Sequence, residues 1–405
     1  MKVLYLSYDG MTDPLGQSQV IPYLQGLAAA KHEIWLVSFE KPERFAQHAE
    51  RIQTLLSQSN IHWEPLPYTA KPPVLSTLLD LWRMRRRSAR LIEQHQIQLV
   101  HCRSYISALV GLGMKRKKGT RFLFDMRGFW ADERIDGNIW KLSNPIFKTI
   151  YRFFKRKERE FLLEADAVVS LTHNAAQEIH SWPGMQQVPI TVIPCCADLD
   201  HYRSGESHKQ RWAAELNIAP NQFVLSYLGS LGTWYMLPEM LDFFRELLKV
   251  KPEALFLIIT PDKPEHIRSQ AQIAEIPLES LRIISAQRND VPAIAALSQL
   301  SIFFIKPSYS KKASSPTKMG ELMAAGIPLV VNAGVGDVDR ILADGGNGLV
   351  VHEFSAHEYQ KALTSLDTVL KADRNRNSQC AERWYSLQEG VKRYRAIYQQ
   401  LEAKP

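Results

Sequence analysis

The chain has 405 residues, 45% of them hydrophobic and 23% charged, and a formal net charge of +8. That balance suits a core large enough for two domains and excludes a disordered chain. The longest apolar stretches, such as Leu255 to Thr260 and Ser301 to Ile305, are strand-sized, so the sequence predicts no bilayer-spanning helix.

In chain order, short apolar strands alternate with helix-length amphipathic segments, the pattern of βαβ units and parallel sheets. A first series runs Lys2 to Tyr8, Glu33 to Phe39, Gln98 to Arg103, Arg121 to Met126, Ala167 to Leu171 and Ile190 to Pro194. The N-terminus opens on a strand rather than on a charged and then apolar leader, so a cytoplasmic protein is expected. After the first strand comes Asp13-Pro14-Leu15-Gly16-Gln17-Ser18. A glycine there lets backbone approach a ligand, with the amides of Gln17 and Ser18 at a helix N-terminus; the other reading is a plain turn.

Two later stretches are basic: Leu78 to Arg90, and Lys148 to Arg159 with Phe147, Ile150, Tyr151 and Phe154 on one helical face. Residues 1 to 200 hold 26 Lys and Arg against 20 Asp and Glu, so this half should face an anionic partner. An anionic membrane surface suits the second stretch; an ordinary surface helix is the alternative. Nucleic acid is not expected, because no recognition module accompanies the charge. Asp125 and Arg127 end a strand at the cleft edge and are either catalytic or a bracing ion pair. His101 reads as a hydrogen-bonded core or rim histidine. The four cysteines have no metal-ligand spacing and read as reduced thiols.

Residues 198 to 220 are polar and lack a strand signal, which puts a domain junction near Tyr202. A second series continues with Phe223 to Gly229, Leu255 to Thr260, Leu281 to Ser285, Ser301 to Ile305, Pro328 to Asn332 and Gly348 to Val351. Gly229-Ser230-Leu231-Gly232-Thr233 suits a phosphate-facing loop. Lys306, Lys311, Lys312 and Lys318 can supply positive charge, although a solvated basic loop accounts equally well for Lys311 and Lys312.

The most informative run is Ser314 to Val331. With Ser315 as N-cap and Pro316 at the first helical position, the helix would aim free amides and a positive dipole end, aided by Thr317 and Lys318, at an anion. Glu321 follows about one turn on, Gly326 closes the helix, and a buried strand follows Pro328. That combination suits a nucleotide, with phosphate on the amides and ribose hydroxyls on Glu321. Beyond Val351 lie two helical segments. The last shows Trp384, Leu387, Val391, Tyr394, Tyr398 and Leu401 at spacings of three and four. The domains predicted are 1–202 and 203–372, with a terminal segment 373–405.

The run Glu321 to Pro328 resembles the donor-binding segment of retaining GT-B glycosyltransferases of the family 4 type. Those enzymes carry a Glu, seven intervening residues and a second Glu before a small-small-Gly-x-Pro turn. Glu321 and Ala324-Ala325-Gly326-Ile327-Pro328 match; Ala313 stands where the first Glu would be, with Ser314 and Ser315 the nearest substitutes. Ser230 and Tyr235 occupy positions where the family usually has Arg and Lys. Cys195 and Cys196 replace Asn and Gly in the interdomain Ile-Pro-Asn-Gly-Val-Asp segment.

The resemblance implies an α/β GT-B fold, with two Rossmann-like doubly wound parallel-sheet domains facing a cleft and a terminal helix returning to the first. It further implies sugar transfer with retention from a UDP- or GDP-linked nucleoside diphosphate sugar, with no other cofactor and no metal. The acceptor implied is a lipid-linked or growing cell-surface glycan. In this reading Asp125, Arg127, Lys306 and Lys318 are catalytic. Gly16, Gln17, Gly229, Ser230, Ser314, Ser315, Thr317 and Glu321 bind the donor. Ala313 and the missing Arg and Lys also admit a catalytically weak binding subunit, and a sugar-nucleotide epimerase can share the architecture.

Overall fold

A computed structural model of the chain describes residues 1–72 and 74–403. The chain forms two compact units, Met1–Cys195 together with the segment from Leu387 onward, and Cys196–Ser386. These boundaries fall at 195/196 and 386/387, against the predicted 202/203 and 372/373.

The first unit holds a seven-stranded sheet in the order β3-β2-β1-β4-β5-β6-β7. Its strands are β1 Lys2–Ser7, β2 Glu33–Glu40, β3 Ile61–Pro67, β4 Leu99–Arg103, β5 Arg121–Asp125, β6 Ala167–Ser170 and β7 Ile190–Val192. The second unit holds six strands in the order β10-β9-β8-β11-β12-β13. These are β8 Val224–Leu228, β9 Leu255–Ile259, β10 Leu281–Ile284, β11 Leu300–Phe303, β12 Leu329–Asn332 and β13 Gly348–Val351. Every pairing is parallel. Central strands such as β5 and β8 are buried along most of their length, as expected where helices cover both faces of a parallel sheet.

The sequence reading missed only β3. Glu64, Pro65 and Pro67 interrupt its apolar pattern, and the sheet tolerates them because β3 is an edge strand. In each sheet the order reverses beside the first strand, between β1 and β4 and between β8 and β11. The crevice at the carboxyl end of such a switch point is where ligands enter doubly wound sheets.

The apolar stripe from Trp384 to Leu401 belongs to two helices, Asn375–Tyr385 and Leu387–Ala403, separated by extended backbone at Ser386. The second packs on the first unit. Val391 lies so close to Gly26 that an added Cβ there would meet its Cγ2 at 2.6 Å, and Tyr394 meets Tyr23 edge-on at 5.5 Å. In helix Pro145–Glu164 the aromatic face predicted for a membrane is partly used inward. Phe154 is buried 4.8 Å from Trp130, and Tyr151 donates to Asp132 at 2.8 Å. Lys155 is tied to Asp132 at 2.8 Å and to the fully buried Glu158. Among the described residues no helix is long and apolar enough to cross a membrane.

Candidate functional site

In the second unit β8 ends at Leu228, and Gly229 turns the chain with φ 115°, a conformation that L side chains rarely adopt. Its amide donates to Ile259 O at 2.9 Å. The loop beyond is held firmly: Tyr227 Oη donates to Ser230 O at 2.8 Å, and the Leu231 amide donates to Asp262 Oδ2 at 2.6 Å. On the neighbouring strand of the switch point, β11 leads through exposed Lys306 and the turn Tyr309–Ala313 into helix Thr317–Ala324.

That helix starts one residue later than expected. Pro316, with φ −70° and ψ 109°, occupies the N-cap position expected for Ser315. The extended ψ of Pro316 keeps it outside the helix, and its carbonyl accepts from the Met319 amide at 3.1 Å. Ser314 and Ser315 are half-buried in the approach to the helix, and Ala313, at the position of the first family Glu, is buried.

Lys318 is the centre of this arrangement. Its side chain runs inward, so that Nζ lies 3.6 Å from the Tyr235 ring centroid, 4.5 Å from that of Tyr227 and 3.4 Å from Tyr227 Oη. A Cβ added to Gly229 would stand 2.9 Å from Nζ. Burial pushes the ammonium pKa down to about 7, opposed only in part by Glu321. Cation–π contacts with two tyrosine rings replace the carboxylate that a buried lysine ordinarily needs. Lys311 makes a similar contact, 3.6 Å from the Trp234 ring.

One turn on, Glu321 has its carboxyl pKa raised by burial, against the lowering effects of a Tyr202 hydrogen bond and of Arg288, Lys318 and His201. The second unit thus brings Gly229, Ser230, Lys318 and Glu321 to one crevice, with Ser314, Ser315 and Thr317 at its helix entrance and Lys306 on the exposed strand exit. Tyr202, Tyr227 and Arg288 were not singled out from sequence as site residues. Tyr235 was visible as the residue at the family's Lys position, but its role as a wall for Lys318 required the fold.

The other four predicted site residues lie in the first unit. Gly16 is not in a loop: it is the third residue of helix Pro14–Gln19, and an added Cβ would sit 2.2 Å from Gly10 O. The Gln17 amide is used by the helix, donating to Asp13 O at 3.1 Å, so the expected free amide is absent. The Gln17 side chain is held between Thr12 O at 3.1 Å and Arg51 at 2.6 Å.

Asp125, at the end of β5, is 1% exposed and accepts from Tyr394 Oη at 2.9 Å. Its carboxylate also faces His101 Nε2 at 3.6 Å and Arg127 at 3.9 Å. Burial alone would raise its pKa; Arg127, His101 and Arg103 outweigh it and hold the carboxyl below the ordinary value. Arg127 takes φ 57° and directs its guanidinium to Cys195 Sγ at 3.1 Å. His101 Nδ1 meets Tyr398 Oη at 2.8 Å, the core histidine that the sequence suggested. Arg127 and His101 thus stand together with Asp125 in the first unit, each within 3.9 Å of its carboxylate.

Comparison with known proteins agrees with the two-unit architecture. Residues 18–201 match the family described as Glycosyltransferase Family 4, and residues 208–383 match Glycosyl transferases group 1. A D-inositol 3-phosphate glycosyltransferase of Nocardia farcinica is 27% identical over 214 residues, 52% of this chain but only 46% of that protein. One of the same name from Segniliparus rotundus is 22% identical over 323 residues, covering 75% of this chain and 69% of the relative. Anabaena HepE, solved with UDP and glucose, superposes with a TM-score of 0.67 at 16% identity, over 100% of both chains.

Proposed function

The chain belongs to the family 4-type glycosyltransferases, and from that premise we propose that it transfers a hexosyl group, with retention, from a nucleoside diphosphate sugar to a glycan or lipid-linked hydroxyl. The observation that carries the donor half of this reading is the placement of Lys318 Nζ against Gly229, one helical turn from Glu321, at the switch point of the second sheet. The diphosphate would lie on the Gly229–Ser230 backbone and the start of helix Thr317–Ala324, and the ribose hydroxyls on Glu321. Lys318 and Lys306 then stabilise the charge that grows on the departing diphosphate. The sugar's bond to that diphosphate breaks with its electrons going to the phosphate oxygen, the acceptor oxygen bonds to the same face of the anomeric carbon, and the acceptor proton passes to the leaving phosphate.

A uridine donor is the first to test, because HepE is solved with UDP. D-inositol 3-phosphate joins glycan acceptors in the trial because it figures in the names of the relatives. The experiment is a thermal-shift screen of UDP- and GDP-sugars followed by product analysis by NMR. A ligand of the native state raises the melting point by mass action. Transfer with an unchanged anomeric configuration supports the reading. An epimerised sugar still on its nucleotide, or binding with no turnover on any acceptor, would overturn it.

A further inference from the structure

Helix Leu75–His95 is built with its polarity reversed over its first half. The positions turned into the first unit are Ser76, Asp80, Met84, Ser88, Leu91 and Ile92. Leu75, Leu78, Leu79 and Trp82 face out instead, with 63%, 57%, 40% and 55% of their surfaces exposed. Their spacing of three, four and seven puts them in one stripe, so the exposure is a continuous apolar face rather than scattered single residues.

The inward side explains why the helix stays so. Buried Asp80 accepts from Tyr8 Oη at 3.0 Å and the Thr69 amide at 3.2 Å, and faces Arg83 at 3.4 Å. Rotating the helix to bury its leucines would break these contacts and strand a carboxylate.

The stripe continues into positive charge. The helix carries five arginines against two acids: Asp80, which is buried, and Glu93, which is engaged by Lys118. Arg83 and Arg87 are held by Asp80 and Glu64. Arg85, Arg86 and Arg90 make no ion pair among the described residues, and Arg86 lies 5.4 Å over the Trp82 ring. Leucines and a tryptophan beside unpaired arginines are the composition of an interfacial helix.

We propose that helix Leu75–His95 docks the first unit on an anionic lipid surface, with Leu75, Leu78, Leu79 and Trp82 entering the headgroup layer and Arg85, Arg86 and Arg90 meeting lipid phosphates. A second copy of the chain fits this face less well, since it would oppose the same arginines to each other. Helix Pro145–Glu164, the candidate favoured by sequence, is the weaker one because Phe154, Tyr151 and Lys155 are engaged within the unit. The proposal is independent of the donor chemistry.

The test uses the full chain in co-sedimentation with phosphatidylglycerol-containing vesicles and with pure phosphatidylcholine vesicles, at low and high salt. Two exposed-residue variants accompany it, Leu78→Ser with Trp82→Ser, and Arg85→Ser with Arg86→Ser and Arg90→Ser. The wild type should bind only the anionic vesicles and release as salt rises past about 0.5 M, where the Debye length is only a few ångströms. Each variant should lose on the order of tenfold or more in partitioning, with unchanged melting point and donor hydrolysis. Equal binding of both variants, binding indifferent to lipid charge, or no vesicle binding together with a dimer that the Leu78/Trp82 variant dissolves would overturn the proposal.

Discussion

Lys318 shows how one buried side chain can act against stability. Its amine is pushed down to about 7 by burial, whereas an exposed lysine in the unfolded chain titrates near about 10.4. Below pH 7 both states hold the proton, and the full cost of the buried charge is present. Between the two values the unfolded chain alone holds it, so stability should climb with pH across that window. Tyr227, Tyr235 and Glu321 are the titratable groups that face it. Lys318→Met should therefore stabilise the free protein at pH 7 by an amount on the order of a few kcal/mol and flatten the rise. Nucleotide affinity should fall in the same variant. Urea unfolding at several pH values, with calorimetric titration of UDP, checks both. Glu321→Ala should weaken UDP binding by about 1.5–3 kcal/mol, the worth of a charge-assisted hydrogen bond, with little change in fold. Unchanged affinity would remove the ribose role from this carboxylate.

At the scale of elements, glycines mark where backbones touch rather than where loops flex. Gly16, expected at a ligand-facing turn before the first helix, lies inside helix Pro14–Gln19 and against the Gly10–Met11 backbone, with Met11 Cα only 2.7 Å from a would-be Cβ. Gly16→Ala should lower stability by about 1–3 kcal/mol through overpacking against backbone that cannot rotate away. A thermal melt shows it; an unchanged melting point would mean that the helix can shift at no cost. Gly229 differs, because its φ of 115° and the nearness of Lys318 Nζ both demand the missing side chain. Sequence placed both glycines after a first strand, yet only the three-dimensional neighbours show that one abuts backbone and the other the Lys318 amine.

For the whole molecule, the return of the chain ends is written in polar contacts as well as apolar ones. Helix Leu387–Ala403 lends Tyr394 to Asp125 and Tyr398 to His101, joining residues 269 and 297 positions apart in the chain. Tyr394→Phe leaves a buried carboxylate short of a donor and should cost about 1–3 kcal/mol in chemical denaturation. A smaller loss would mean that His101 or a water takes over; the adjoining cavity of about 10 Å³, lined by Tyr5, Tyr23 and His101 among others, has room for about one water.

By itself the sequence determined what local periodicity and fixed spacing can encode. Twelve strands alternating with helices implied two parallel sheets, and Glu321 with the Ala324–Pro328 turn carried the family resemblance. The strand missed, Ile61–Pro67, has a pattern broken by residues that only an edge position excuses. Only tertiary structure decided which charges are matched. Asp125 came to lie buried beside Arg127 and His101, Lys318 became the amine between two tyrosines, and Pro316 rather than Ser315 took the N-cap position. It also decided which basic helix presents an exposed apolar face: Leu75–His95, because its inward Asp80 is partnered, and not Pro145–Glu164, whose aromatics are partly consumed. The physical reason is the same in each case. Burial and pairing depend on contacts between residues distant in the chain, and a side chain's charge, partner and exposure are not properties of its neighbours in sequence.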